Sequence, residues 1–231
     1  MKTIISAEKE TINLAAEHIK GKLHEKGDTV LALCCGRSVR GLYARLLDMY
    51  SAGELSFSQA RIFVLTEFLD TPYNMSSRKQ IYDDYFSKTD LKPENFIVPD
   101  VQNPEHYDAL IESTGGIDLA VLGIGENGHI GYNEPATPFA SLCHVQKLTD
   151  ATRRQLEKLH ESRQIPERAF TMGIKTITQA RDIVLLAFGE DKSQAVHKML
   201  YGRNDSAVPA AFLQIPLNVT LYLDEEASSQ L

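Results

Sequence analysis

IDLAVLGIG, residues 117–125, is apolar at nearly every position up to its closing glycines. Alternate residues of a strand face opposite sides, so an almost unbroken apolar run belongs to a strand covered on both faces, as in a parallel sheet. The flanking sequence agrees. TVLALCC (29–35) and DIVLLAFG (182–189) have the same buried-strand character. Each is followed by a helical pattern, VRGLYARLLDMYSAG and DKSQAVHKMLYG. ARIFVLTEF (60–68) reads as a further strand, SSRKQIYDDYF (76–86) as a helix, ENFIVPD (94–100) as a short strand and HYDALIESTGG as a helix stopped by glycines. NVTLYLDEEA supplies another strand, and MKTIISAEKETINLA a first strand and helix. Strands and helices alternating at this spacing predict α/β architecture with a mostly parallel sheet. No repeat, low-complexity tract or long linker interrupts residues 1–231, so one domain is expected.

The bulk properties narrow the function. A net charge of −7 argues against general nucleic-acid binding, which needs a basic face. It leaves room for a small anion in a locally positive pocket. No apolar run approaches a membrane span, and the N-terminal segment turns charged too soon for a signal peptide. Cys34, Cys35 and Cys143 form neither a disulfide framework nor a zinc pattern, and thiols of this kind suit the reducing cytoplasm.

In parallel sheets ligands sit beyond the carboxyl ends of the strands. Four such ends carry unusual residues: 34–39, 65–70, 123–134 and 188–193. The richest is GIGENGHIGYNEP (123–135), where glycines let a ligand approach the backbone. Histidine is the side chain most suited to proton transfer, and Asn127 and Glu134 are placed to orient His129 or share its proton.

LGIGENGHIGYNEP closely resembles the signature of the glucosamine-6-phosphate deaminase (isomerase) family, which is related to the 6-phosphogluconolactonases. DIVLLAFGEDKSQAV and AVPAAFLQIP resemble further segments of that family in the same order. The resemblance implies a doubly wound α/β fold, a three-layer sandwich with helices on both faces. It also implies a sugar-phosphate ligand. Cys35, Gly36, Arg37, Ser38 and Val39 fall on the family loop that wraps the phosphate with backbone N–H groups ahead of a helix. Arg37 stands where the family has a glycine or another small residue. It would contact phosphate, point to solvent or fill sugar space. Lys192 falls on the family's phosphate lysine. Counting from Thr152 along LTDATRRQLEK puts Lys158 at the family arginine, with Arg153 and Arg154 as alternatives.

Two departures stand out. The family has an Asp-Glu-Tyr run where this chain has Thr66, Glu67 and Phe68, and the resemblance makes that aspartate the base that moves the C2 proton. A threonine hydroxyl is too weak for that task. Either Glu67 or Asp70 serves instead, or the chemistry differs, or there is none. Basic residues that bind an activating sugar phosphate in hexameric relatives are replaced by His144 and Gln146, so activation of that type is expected to be absent. The expectation is therefore a cytoplasmic sugar-phosphate protein, a monomer or small homo-oligomer with no nucleic-acid or membrane partner. The resemblance implies that it needs no metal or organic cofactor. Its ligand would be a hexose or hexosamine 6-phosphate or a close anionic analogue. The resemblance gives His129 the ring-opening proton shuttle, with Asn127 and Glu134 in support. A lactone hydrolase, which needs no C2 base, and a non-catalytic sugar-phosphate binder are the alternatives.

Overall fold

A computed structural model describes residues 1–159 and 165–231. The strands are β1 (Lys2–Ile5), β2 (Val30–Leu33), β3 (Arg61–Val64), β4 (Thr66–Phe68), β5 (Phe96–Ile97), β6 (Leu119–Gly123), β7 (His144–Lys147), β8 (Arg168–Thr171), β9 (Asp182–Ala187) and β10 (Val219–Leu223). The helices are α1 (Glu8–Glu25), α2 (Arg37–Ser51), α3 (Glu105–Ser113), α4 (Asp150–Leu159), α5 (Ile174–Thr178) and α6 (Ser193–Tyr201).

Seven strands form one parallel sheet in the order β1-β10-β9-β6-β2-β3-β5. Leu119 to Leu122 in β6 and Val30 to Leu33 in β2 are wholly buried. Successive strand residues face opposite sides, so helical layers must cover the sheet on both faces. From the β2–β6 pair the chain winds outward through β3 and β5 on one side and through β9 and β10 on the other, where the N-terminal β1 forms the edge. That reversal opens a crevice at the carboxyl ends of β2 and β6, where ligands bind in such sheets.

The segment 60–68 is not one strand. Its first part is β3, in the parallel sheet, and its last three residues are β4, in a separate antiparallel sheet of order β4-β8-β7. Leu65 is the corner. Its N–H donates to Leu33 O at 2.8 Å in the large sheet, and its carbonyl accepts from Met172 N at 2.9 Å beside the small one. The apolar run thus stops being core strand at Thr66, which is buried and is followed by the half-buried Glu67 and Phe68. The segment 76–86 also departs from the expected regular helix: Arg78–Asp83 makes a π-helical turn, and a 3-10 turn follows at Phe86–Lys88.

Aromatic packing fixes the two sheets together. The Tyr107 ring stands edge-on to Phe63 and Phe170, and its hydroxyl donates to Val64 O at 3.1 Å and Ile97 O at 2.8 Å. A buried tyrosine needs such partners for its hydroxyl. Among the described residues no helix is long and apolar enough to cross a membrane.

Candidate active site

A cleft of about 550 Å³ lies over the β2–β6 crevice. All four strand ends singled out in the sequence reach it. Cys35, Gly36, Arg37 and Ser38 follow β2, Thr66 and Phe68 follow β3, Gly123 to Glu126 and His129 follow β6, and Asp191 and Lys192 follow β9. The helix α4 adds Thr152, Gln155, Leu156 and Lys158.

The anion end is built on a helix start. The α2 helix begins at Arg37, two residues before its apolar pattern, with Gly36 as its N-cap. Gly36 has φ 148°, a region that residues with a side chain rarely adopt. This turn aims the first N–H groups of a fifteen-residue helix at the cleft. Opposite, Lys192 is 4% exposed, and burial pushes its pKa down while Asp191 and Glu126 push it up. Its Nζ lies 3.6 Å from Asp191 Oδ2. Arg37 enters the cleft as half of an ion pair. Its Nη2 donates to Asp191 Oδ1 at 2.8 Å, to Oδ2 at 3.0 Å and to Phe188 O at 3.1 Å. Burial works to raise the Asp191 pKa, but Arg37 and Lys192 hold it below the usual value. Lys158 lines the cleft, whereas Arg153 and Arg154 do not.

The His129 corner is a dense polar knot. The loop turns back so that Gly125 N donates to His129 O at 3.0 Å, and the imidazole lies over Gly125. A Cβ at Gly125 would sit 2.4 Å from the ring, so only glycine fits beneath it. Asn127 Oδ1 accepts from His129 N at 3.2 Å, and Asn127 Nδ2 donates to Glu134 Oε2 at 2.8 Å. Glu134 is 1% exposed, and its Oε1 also accepts from Thr149 N at 3.0 Å. Burial alone would raise its pKa, but His129, Thr152 and Thr149 N hold it down to about 2. Glu134 Oε2 stands 3.7 Å from His129 Nδ1, and Thr152 Oγ1 stands 3.2 Å from the same nitrogen. Asn133, fully buried, holds the loop to β8 by donating to Ile130 O at 2.9 Å and Met172 O at 2.8 Å.

The Thr66 corner differs. Thr66 faces the cleft at 4% exposure. Strand alternation turns Glu67 away from it. The Glu67 carboxylate accepts from Phe68 N at 3.0 Å and from Ser77 N at 2.9 and 3.1 Å. Burial raises its pKa, and these backbone donors work against that rise. Asp70 is also elsewhere: its Oδ2 accepts from Arg168 Nη2 at 3.0 Å, and its side chain is 81% exposed. Of the three alternatives for the missing base, the one that uses Glu67 or Asp70 gains no support from this geometry, since neither side chain lines the cleft. Among the described residues the carboxylates lining the cleft are Glu126 and Asp191.

Sequence reasoning missed Arg40, Gln80, Tyr132, Gln155 and Asp191 as lining residues. Arg40 is one helical turn beyond Arg37, a visible signal, whereas Gln80 reaches the cleft from an irregular turn that no periodicity marks. His144 and Gln146 line a different pocket, shared with Pro135 to Pro138 and Ser141 to Cys143.

Comparison with known proteins bears directly on this arrangement. The family model described as glucosamine-6-phosphate isomerases/6-phosphogluconolactonase matches residues 6–221. The glucosamine-6-phosphate deaminase of Thermoanaerobacter sp. (strain X514) is 36% identical over 239 residues, covering 99% of this chain and 94% of that protein. A solved monomeric glucosamine-6-phosphate deaminase superposes with a TM-score of 0.96 at 34% identity, over 100% of both chains. The 6-phosphogluconolactonase of Trypanosoma brucei shares the fold, with a TM-score of 0.80 at 19% identity over 100% of this chain and 98% of that one. The match over residues 6–221, together with a relative 36% identical across almost the whole length, shows that this chain belongs to the glucosamine-6-phosphate isomerase/6-phosphogluconolactonase family.

Proposed function

We propose that this chain is a sugar-phosphate enzyme acting on a hexose or hexosamine 6-phosphate, or a close anionic analogue. Residues 1–231 act as one domain in the cytoplasm, as a monomer or small homo-oligomer. The observation that carries the reading is the pairing, in one cleft, of an anion end with a buried acid–base group. Lys192, Lys158 and the N-terminus of α2 take the phosphate, and His129 works on the other end of the sugar. His129 moves the proton between the ring oxygen and the C1 hydroxyl as the ring opens, and the ionised Glu134 stabilises the imidazolium formed on the way. Asn127 holds Glu134 and the His129 backbone in register.

One observation favours a second reading. No carboxylate lines the Thr66 corner among the described residues, so a base for the C2 proton is not in place there. Lactone hydrolysis dispenses with that base: His129 takes a proton from water as the water attacks the lactone carbonyl. A coupled assay separates the two. Ammonia from glucosamine 6-phosphate or galactosamine 6-phosphate supports the first reading, and acid release from 6-phosphogluconolactone supports the second. Failure of all three, with a thermal shift on adding sugar phosphate, leaves a non-catalytic binder.

A further inference from the structure

Lys192 is a buried cation whose side chain makes no hydrogen bond among the described residues. It is 4% exposed, it lines the cleft, and its ammonium carries three N–H donors. Among the described residues the nearest carboxylate oxygen is Asp191 Oδ2 at 3.6 Å, against about 2.8 Å for an ordinary ammonium–carboxylate bond. A cation taken out of water calls for a closer anion than that. Asp191 is its neighbour in the chain and has a half-exposed side chain, yet its carboxylate stands off.

What draws it away is Arg37. Both Asp191 oxygens accept from Arg37 Nη2, Oδ1 at 2.8 Å and Oδ2 at 3.0 Å, and the same nitrogen donates to Phe188 O at 3.1 Å. Nη2 has two N–H groups, so one serves the carbonyl and the carboxylate shares the other. Both two-nitrogen edges of a guanidinium include Nη2, so the fork that arginine offers to phosphate is already taken by the protein. The two ends of this tie are well separated in the fold. Arg37 opens α2 after β2, whereas Phe188 and Asp191 follow β9, and β6 lies between those strands. The side chain therefore bridges the carboxyl end of β6. The turn that it holds is itself pinned: Lys192 N donates to Gly189 O at 3.0 Å, and Gly189 N donates to Asp224 Oδ2 at 2.9 Å.

We propose that Arg37 is a positioning residue: it holds the Asp191 carboxylate off Lys192 and so keeps that ammonium open for the phosphate of the ligand. The inference deepens the proposed function and rests on it for the phosphate, whereas the hold on Asp191 exists without any ligand. Arg37 thus serves the phosphate end without touching the phosphate. Once Arg37 is removed, the cation closest to the Asp191 carboxylate is Lys192, and the chain fills its own anion site.

The test joins phosphate binding to the position of the carboxylate. The probe is inorganic phosphate, followed by calorimetry on the whole protein, with Lys192→Ala as the reference for loss of the site. Arg37→Met keeps a stem of similar length and removes every donor. It is expected to weaken phosphate binding at least about tenfold, the scale of a lost charge-assisted hydrogen bond. A crystal structure of that variant, grown without phosphate or sulfate, is expected to show Asp191 within hydrogen-bond distance of Lys192 Nζ. Adding Asp191→Asn to Arg37→Met is expected to restore most of the lost affinity. An affinity that stays lost in the double variant overturns the proposal, because Arg37 would then grip the phosphate itself. A carboxylate that remains off Lys192 in Arg37→Met overturns it as well, since the restored affinity would then reflect long-range charge alone. So does an Arg37→Met variant that binds phosphate as the wild type does. Arg37→Ala takes its place should Arg37→Met not fold. If the wild type and Lys192→Ala bind phosphate equally, the proposed function loses its anion end, and the position of Asp191 in the Arg37 variant still decides the hold.

Discussion

Two corners of one cleft each have a glutamate beside them, and the two glutamates do opposite things. Glu134 stands behind His129, ionised and tied by Asn127 and Thr149 into a network that faces the ligand through the imidazole. Glu67 sits next to Thr66 in sequence yet points the other way, and its oxygens are occupied by the N–H groups of Phe68 and Ser77. The difference teaches that the address of a carboxylate along a strand matters less than its parity. In β4 one residue step is the difference between facing the cleft and pinning the turn that follows.

The sharpest way to break the comparison is His129→Asn. If the His129 corner holds the chemistry, turnover should fall about 10²–10⁴-fold, the scale of a lost acid–base group, with normal folding by circular dichroism. Unchanged turnover would move the reaction away from that corner. Next comes Thr66→Asp, which puts a carboxylate where the parity of β4 aims at the cleft. Ammonia release from glucosamine 6-phosphate should rise by about 10²-fold, at the lower end of general-base effects, with C2 hydrogen exchange into solvent. A wild type that already deaminates fast would show that the corner lacks nothing. Lys192→Ala tests what both corners share. It should weaken sugar-phosphate binding by roughly 2–3 kcal/mol, measured calorimetrically, and leave the neutral sugar almost unaffected. Equal losses for the two ligands would remove the phosphate role.

The smallest effect is in stability against pH, where the two glutamates should have opposite signs. Glu134 has a depressed pKa when folded, so its contribution is present above the unfolded value of about 4.3 and is lost as pH falls toward about 2. Glu134→Gln should flatten that acid limb of the melting temperature. Glu67 has a raised pKa when folded, so the native state takes up its proton first. Stability is then gained as pH falls through the folded value toward the unfolded one. Glu67→Gln should abolish that gain. Acid limbs that change in the same direction would undo the contrast.

Much of this was legible in the residues themselves. The buried runs in β6, β2 and β9 announced a parallel sheet because burial on both faces leaves no alternation to read. The loop 123–134 announced itself because glycines, a histidine and a glutamate at a strand end have few other uses. The split at Leu65 was hidden, because the same apolar residues suit a core strand and a strand that turns into a second sheet. The role of Glu67 was hidden because the backbone that it binds, Ser77, is ten residues away in an irregular turn. Arg37 was visible as a cation, but its partner Asp191 lies more than 150 residues later, and no local pattern joins them.

The pairing of β1 with β10 sets an order in time. Lys2 lies beside Thr220, and among the described residues β10 is the one neighbour β1 has. At about 5–20 residues per second, synthesis separates the two strands by roughly 10–40 s. Throughout that interval β1 has no ladder to join, and for most of it the cradle has neither Asp191 for Arg37 nor Lys192. Both vacancies are filled from the same stretch of chain, which supplies β9, Asp191, Lys192 and β10. A sugar phosphate can recognise nothing earlier. It acts on the finished chain alone, drawing the folding equilibrium toward the native state by mass action and marking which chains have completed their sheet.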